Sequence, residues 1–136
     1  MATAALVAGV AHGPVIGPHL DEAPYMGVLF IVLTVACVGI AAVICVHDSL
    51  ALYAATAVTC GLAVLGYAAT RLVPFPMLAD DVGNWLEPLG ALSVAAELVA
   101  LGAATSALLT RPRIEEPATR AALHRRTRTL HALPLV

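Results

Sequence analysis

The chain has 136 residues, of which 60% are hydrophobic and 12% are charged, and its mean hydropathy is +0.91. Soluble domains carry about 25% charged residues, so this chain has half the charge that a water-facing surface requires and its expected solvent is the bilayer. The net charge of -2 and the absence of lysine argue against a nucleic-acid-binding protein, because neutralising phosphates requires a basic face. The length predicts one domain without a separate soluble catalytic module.

The first predicted element is a short apolar segment in residues 1–20, which Gly13-Pro14 and Gly17-Pro18 interrupt. Such a short apolar stretch suits an interfacial or re-entrant segment better than a transmembrane helix. We therefore expect a short membrane-associated segment, with residues 1–23 outside the cell. The alternative is a fourth transmembrane helix, which would place the N-terminus in the cytoplasm.

Three long runs with little charge predict three transmembrane helices. Residues 24–46 and 50–70 contain no charged side chain, and residues 88–110 contain one, Glu97. Each run is roughly 30–35 Å long as a helix, the thickness of a hydrocarbon core. The runs are rich in alanine and show no alternating pattern, which disfavours strands. We expect an all-α transmembrane bundle in residues 1–110 with spans at about 24–46, 50–70 and 88–110, followed by a basic tail, residues 111–136.

The arginines predict the orientation of this bundle. Six of the seven follow the third span, so the positive-inside rule places the tail, residues 111–136, in the cytoplasm and the 71–87 loop outside. Within the tail, residues 118–130 are able to form a short basic helix on anionic lipid. Acidic and aromatic residues gather near the outer boundary, as in an aromatic belt. We therefore expect a multi-pass protein of the plasma membrane.

Glu97 is the most informative residue, because an acid at mid-membrane is costly unless it is neutral, paired or hydrated. Its helical face consists of small and polar residues, which predicts that it points into the bundle. Residues at similar depth on the other spans complete a predicted intramembrane polar layer: Glu97, Ser93, Thr34, Cys37, Thr59 and Cys60. Three interpretations stay open, namely a neutral acid that sets helix register, a proton relay or ligand site, and a metal site with the cysteines.

A second group of polar residues lies on the predicted outer side. Imidazoles and carboxylates are ligands for copper or another divalent metal, and the candidate ligands are His12, His19, Asp21, Glu22, Asp80 and Asp81. No pair has the spacing of a recognised metal motif, and acidic residues outside a membrane are usually just solvated. The three cysteines form no CxxC motif and indicate no disulfide framework.

Three stretches resemble small, uncharacterised bacterial multi-pass integral membrane proteins. They are residues 19–27 (HLDEAPYMG), residues 65–67 (LGY) and residues 81–90 (DVGNWLEPLG), followed by Ser93 and Glu97. The resemblance covers residues 19–110 and implies no particular activity or catalytic residue. In such proteins the first segment is often a full span, whereas here it looks shortened.

The expected function is a non-enzymatic integral membrane protein, an accessory or small-ligand-binding subunit of a membrane assembly. The alternative is a small oligomeric transporter or a proton- or metal-handling protein that uses Glu97. A thiol or quinone redox enzyme is less favoured, because the cysteines are not paired locally. No nucleotide, haem-attachment or nucleophile motif identifies a cofactor or a catalytic residue. Small-xxx-small patterns favour a homo-oligomer or a larger membrane complex.

Overall fold

The computed structural model describes the backbone of residues 1–131 and the side chains of residues 1–111. Within this part of the chain the fold is all-helical and contains no strand, which confirms the predicted all-α class. The four helices are α1 (Ala2–Glu22), α2 (Pro24–Ile44), α3 (Leu50–Leu72) and α4 (Pro88–His131). A short 3-10 helix, Ala79–Asp81, lies in the loop between α3 and α4.

Three segments are long and apolar enough to cross a membrane: Pro24–Ile44, Leu50–Leu72 and Pro88–Arg111. They agree closely with the three spans predicted from the sequence. Pro24 and Pro88 occupy the first positions of α2 and α4, where the missing N–H costs nothing. The Ser49 hydroxyl accepts a hydrogen bond from the Leu52 N–H at 3.2 Å and caps α3.

The N-terminal segment is one continuous helix, α1, where the sequence predicted a short, interrupted segment. Both Pro14 and Pro18 lie inside it. The helix is nevertheless supported by α2 and α4, because one of its faces is buried against them. This face consists of four small residues and one histidine: Ala5, Ala8, Gly9, Ala11 and His12. Neighbouring helices offset the loss of backbone hydrogen bonds that proline causes at membrane depth. The two prolines therefore do not end the helix.

Gly9 shows how closely α1 approaches α2. A Cβ atom at Gly9 would lie 3.0 Å from the Val38 Cγ2 atom and 3.2 Å from the Cys37 Cβ atom. Nearer the turn between the two helices, a Cβ atom at Gly27 would lie 2.6 Å from the Leu20 Cγ atom. The helices therefore run antiparallel, and this register brings the beginning of α1 beside the end of α2. Residues 1–23 therefore do not all lie beside the α3–α4 loop, because the first half of α1 extends toward the opposite end of the bundle.

The four helices alternate in direction. α1 packs against α2 and α4, and α3 packs against α4, whereas α2 and α3 share few contacts. At the end that holds the α3–α4 loop, here called the loop end, the Tyr25 hydroxyl donates to the Pro76 carbonyl oxygen at 2.7 Å. At the opposite end, here called the tail end, Arg111 pairs with Asp48 in the α2–α3 turn. The result is an up-and-down bundle with a gap between α2 and α3.

The fourth helix continues beyond its predicted membrane span. Its backbone remains helical past the expected end at Thr110 and through Pro112 and Pro117 to His131. Most of the predicted tail thus belongs to α4, and the arginine, alanine and leucine residues in it favour helix. Residues 132–136 of that tail lie outside the described residues.

Candidate functional site: an intramembrane cavity

Three polar side chains meet in the interior of the bundle, and we call them the polar cluster: His12 on α1, with Ser93 and Glu97 on α4. The Ser93 Oγ atom lies 3.1 Å from His12 Nε2 and 3.5 Å from Glu97 Oε1. The His12 Nε2 atom lies 3.6 Å from Glu97 Oε1. Their exposed fractions are 6% for His12, 4% for Ser93 and 1% for Glu97. An imidazole, a hydroxyl and a carboxyl group thus lie together at mid-membrane depth.

The backbone of α1 fixes the proton on one nitrogen of His12. Its Nδ1 atom lies 2.6 Å from the Ala8 carbonyl oxygen, and a carbonyl oxygen only accepts hydrogen bonds. Nδ1 therefore carries a hydrogen, and in the neutral ring Nε2 is the acceptor that faces Ser93. The cluster has no net charge either as two neutral groups or as an imidazolium paired with a carboxylate.

The remaining residues of the predicted polar layer surround this cluster in part. Cys37 and Cys60 are buried in the bundle. Thr59 lies on the wall of the adjoining cavity. The Thr34 hydroxyl is buried and has no hydrogen-bond partner among the described side chains. Of the predicted layer, the structure thus brings Ser93 and Glu97 into contact, and His12 is their further partner.

A cavity of about 570 Å³ adjoins the polar cluster and is lined by all four helices. At its deep end lie His12, Ser93 and Glu97, about 15, 8 and 14 Å respectively along their helices from the loop end. Most of the wall between these two ends is aliphatic. Groups from the loop end also line it: His19, Arg71, Asp81 and Glu87. The cavity thus combines an apolar body with polar groups at two depths.

The cavity is open toward the surroundings of the bundle between α2 and α3. Leu29 and Val32 on α2, with Leu62 on α3, line the cavity and are also 56%, 61% and 64% exposed. These residues lie about 8–15 Å along their helices from the loop end, which is hydrocarbon depth for a helix that spans the bilayer. If these helices span a bilayer, the opening lies at the depth of the lipid tails.

A column of three rings lies along the α1–α2 side of the cavity. The Phe30 ring centroid is 5.4 Å from that of His12 and 4.8 Å from that of His19. His12 and His19 are two helical turns apart on one face of α1, so the phenyl ring fills the space between them. This wall offers aromatic contact next to the polar cluster, on the side of the loop end.

At the loop end, Arg71 joins α3 to the following loop. Its Nη1 atom lies 2.5 Å from the Asp81 Oδ1 atom, and its guanidinium carbon lies 4.6 Å from the centre of the Tyr67 ring. The Tyr67 hydroxyl donates to the Trp85 carbonyl oxygen at 2.8 Å. The Glu87 carboxylate accepts from the Leu89 N–H at 3.1 Å and caps α4. These contacts hold the loop over the cavity.

The structure does not bring the six predicted metal ligands together. His12 is inside the bundle, and Asp81 is paired with Arg71. The His19 Nδ1 atom lies 2.8 Å from the Val15 carbonyl oxygen, and the other three are exposed: Asp21, Glu22 and Asp80. Among the side chains of residues 1–111, no three His, Cys, Asp or Glu residues have an arrangement that would hold a metal ion. The reason is that α1 carries His12 about 10 Å deeper than His19.

Comparison with protein-family models, curated proteins and solved structures finds no match for this chain. Sequence reasoning missed the place of His12 because the Gly-Pro pairs obscured α1. The signal that would have found it is the helical spacing of Ala5, Ala8 and Gly9 with His12, a stripe of small residues that ends in an imidazole.

Proposed function

We propose that this protein is a non-enzymatic integral membrane protein that binds a small, largely apolar molecule in its intramembrane cavity. The cavity with the buried polar cluster at its deep end is the observation that carries this proposal. Ligand sites are typically concave, mostly apolar and about 300–1,000 Å³ in volume, with a few polar groups that fix orientation. A volume of about 570 Å³ lies within that range.

The polar cluster supports a binding role because it presents hydrogen-bonding groups to the cavity. Buried polar groups in a bundle that serve only to join helices need no adjoining space. Here Ser93 and Glu97 both line the cavity while they contact His12. A ligand with a polar end would exchange its hydrogen bonds to water for bonds to these groups, at little desolvation cost.

We further propose an orientation and a setting for the protein. The loop end faces the outside of the plasma membrane and the tail end faces the cytoplasm, which is supported by the arginines that follow Thr110 and by Trp85 and Tyr67 at the loop end. The exposed apolar surface of all three predicted spans suits contact with lipid and with a second copy or another subunit. An accessory or ligand-binding subunit of a membrane assembly fits these features.

Two glycines provide a matched test of cavity binding. Gly66 lines the cavity and Gly102 lies outside it. At both positions a side chain would extend into open space. We expect organic extracts of the purified protein, analysed by mass spectrometry, to contain a stoichiometric small molecule. Gly66→Leu should lose this molecule and Gly102→Leu should retain it. If both variants and the wild type yield the same extract, the cavity is not a binding site.

A second candidate function is proton handling, because an imidazole and a carboxyl group are in contact. His19 lies toward the loop end of the same cavity, and His12, Ser93 and Glu97 follow at its deep end. Imidazole and carboxyl groups form proton relays in membrane proteins. Proteoliposomes that contain a pH-sensitive dye test this candidate. Proton flux that Glu97→Gln abolishes and Ser106→Ala preserves would favour it over simple binding.

A further inference from the structure

The polar cluster restricts the charge of the molecule that the cavity accepts. His12 and Glu97 have no net charge when both are neutral or when they form an imidazolium–carboxylate pair. While the cluster keeps this net neutrality, an ammonium group or an anionic group of a ligand would add an uncompensated charge to it. Burying an unpaired charge is far more costly than burying a hydrogen-bonded neutral group. A neutral oxygen, as in a carbonyl or a hydroxyl group, satisfies the cluster best.

The wall above the cluster favours a flat ring. Phe30 lies between the rings of His12 and His19, and Tyr67 also lines the cavity. Aromatic side chains prefer offset-stacked or edge-to-face contact with another ring. A ring that carries an oxygen substituent would place the oxygen at Ser93 and Glu97 and its face or edge near Phe30.

The opening between α2 and α3 adds a third property, an apolar chain. A closed cavity of about 570 Å³ would hold a ring but not a long tail. Because Leu29, Val32 and Leu62 line the cavity and are exposed, a tail is able to leave between them at hydrocarbon depth.

We infer that the ligand is a lipid quinone or quinol, bound with one ring oxygen at His12, Ser93 and Glu97 and with its tail leading into the bilayer between α2 and α3. This inference rests on the proposed binding function and adds the class of ligand and its path. It concerns binding alone and includes no redox step.

A pair of probes that differ only in their oxygens tests the ring and its polar contact. The probes are 2-methyl-1,4-naphthoquinone and 2-methylnaphthalene, and equilibrium dialysis of the purified full chain in detergent measures both. We expect the quinone to bind about 10-fold more tightly, the effect of one hydrogen bond to a buried group. Ser93→Ala should remove most of this difference, whereas Ser106→Ala, outside the cavity on the same helix, should preserve it. Glu97→Gln should retain it, because an amide also donates.

The outcomes separate the ligand class from the binding function. Equal binding of the two probes to the wild type would overturn the quinone assignment while cavity binding stands. If neither probe binds but a small molecule is still lost from Gly66→Leu, the quinone assignment is wrong and the binding function survives. If neither probe binds and no such molecule is found, both fail. The probe comparison uses the wild type, so it does not depend on the folding of a variant.

A long-chain probe tests the path of the tail. The same naphthoquinone ring with a long isoprenoid chain should displace the short probe from protein in lipid nanodiscs. Trp85, the only tryptophan, lies beside Tyr67 with their ring centroids 6.4 Å apart, and quenching of its fluorescence by the quinone reports occupancy. Failure of the long-chain compound to compete would show that the tail cannot leave between α2 and α3.

Discussion

Replacing Gly9 by leucine tests whether α1 is a member of the bundle. At this position even the first side-chain carbon would lie 3.0 Å from Val38 Cγ2, 3.2 Å from Cys37 Cβ and 3.4 Å from the Thr34 carbonyl oxygen. The Val38 side chain can adjust. The Cys37 Cβ atom and the Thr34 carbonyl oxygen are fixed to the backbone of α2, so space for a side chain appears only if α1 moves away from α2. We therefore expect Gly9→Leu to separate the helices and to draw His12 away from Glu97.

The expected magnitude follows from a comparison with Gly39 on α2. A side chain at Gly39 would extend into open space, so Gly39→Leu gains helix propensity of about 0.7 kcal/mol without a packing cost. Gly9→Leu has the same propensity gain, which cancels in the comparison, and adds overpacking of about 1–3 kcal/mol. The free energy of unfolding of the two variants should thus differ by about 1–3 kcal/mol.

Titration with sodium dodecyl sulfate in mixed micelles, followed by the helical circular dichroism signal, measures this difference. Gly9→Leu should unfold at a lower detergent fraction than the wild type, and Gly39→Leu at the same or a higher one. Equal unfolding of the two variants would show that α1 does not pack against α2 at Gly9. The register from which His12 is placed beside Glu97 would then be wrong as well.

Three further predictions concern the cluster, the orientation and the loop end. Glu97→Leu should lower the free energy of unfolding by about 1–2 kcal/mol, because His12 and Ser93 lose their partner, and Glu97→Gln by less; equal loss in the same titration would contradict the hydrogen-bonded cluster. In a Cys45→Ser background, an impermeant thiol reagent should label Ala79→Cys in intact cells but neither Ser49→Cys nor Ala118→Cys; labelling at position 118 without position 79 would reverse the orientation. Arg71→Ala should increase acrylamide quenching of Trp85, because the loop loses the Arg71–Asp81 pair and keeps only its other contacts with α3, such as that of Tyr67, while Arg111→Ala at the tail end should not; equal quenching would show that Arg71 does not hold the loop.

The transmembrane spans follow from the sequence because their signal is local. A run such as residues 24–46 is long, apolar and uncharged, and no tertiary contact is needed to recognise it. The inward direction of Glu97 is also predictable, because Ser93 and other small residues share its helical face and lipid excludes the acid. Both predictions use properties of single helices.

The properties of single helices did not predict that His12 is the partner of Glu97. His12 reaches it only because α1 is helical through Pro14 and packs antiparallel to α2, and local rules for proline indicate the opposite. Packing against α2 and α4, with close contact at Gly9, supports α1, and these contacts between helices cannot be recognised in any single segment. The loop-end contact of Arg71 with Asp81 likewise depends on how the chain returns from α3 to α4.

The gap between α2 and α3 has a consequence for how affinity should be expressed. A molecule that reaches the cavity through this gap arrives from the bilayer, so its effective concentration is its mole fraction in lipid and not its concentration in water. A compound that partitions strongly into membranes would saturate the cavity at low total amounts even if each contact is weak. Adding lipid at constant total ligand would dilute the compound and lower occupancy. Measurements at different lipid-to-protein ratios should therefore agree only when affinity is referred to the membrane phase.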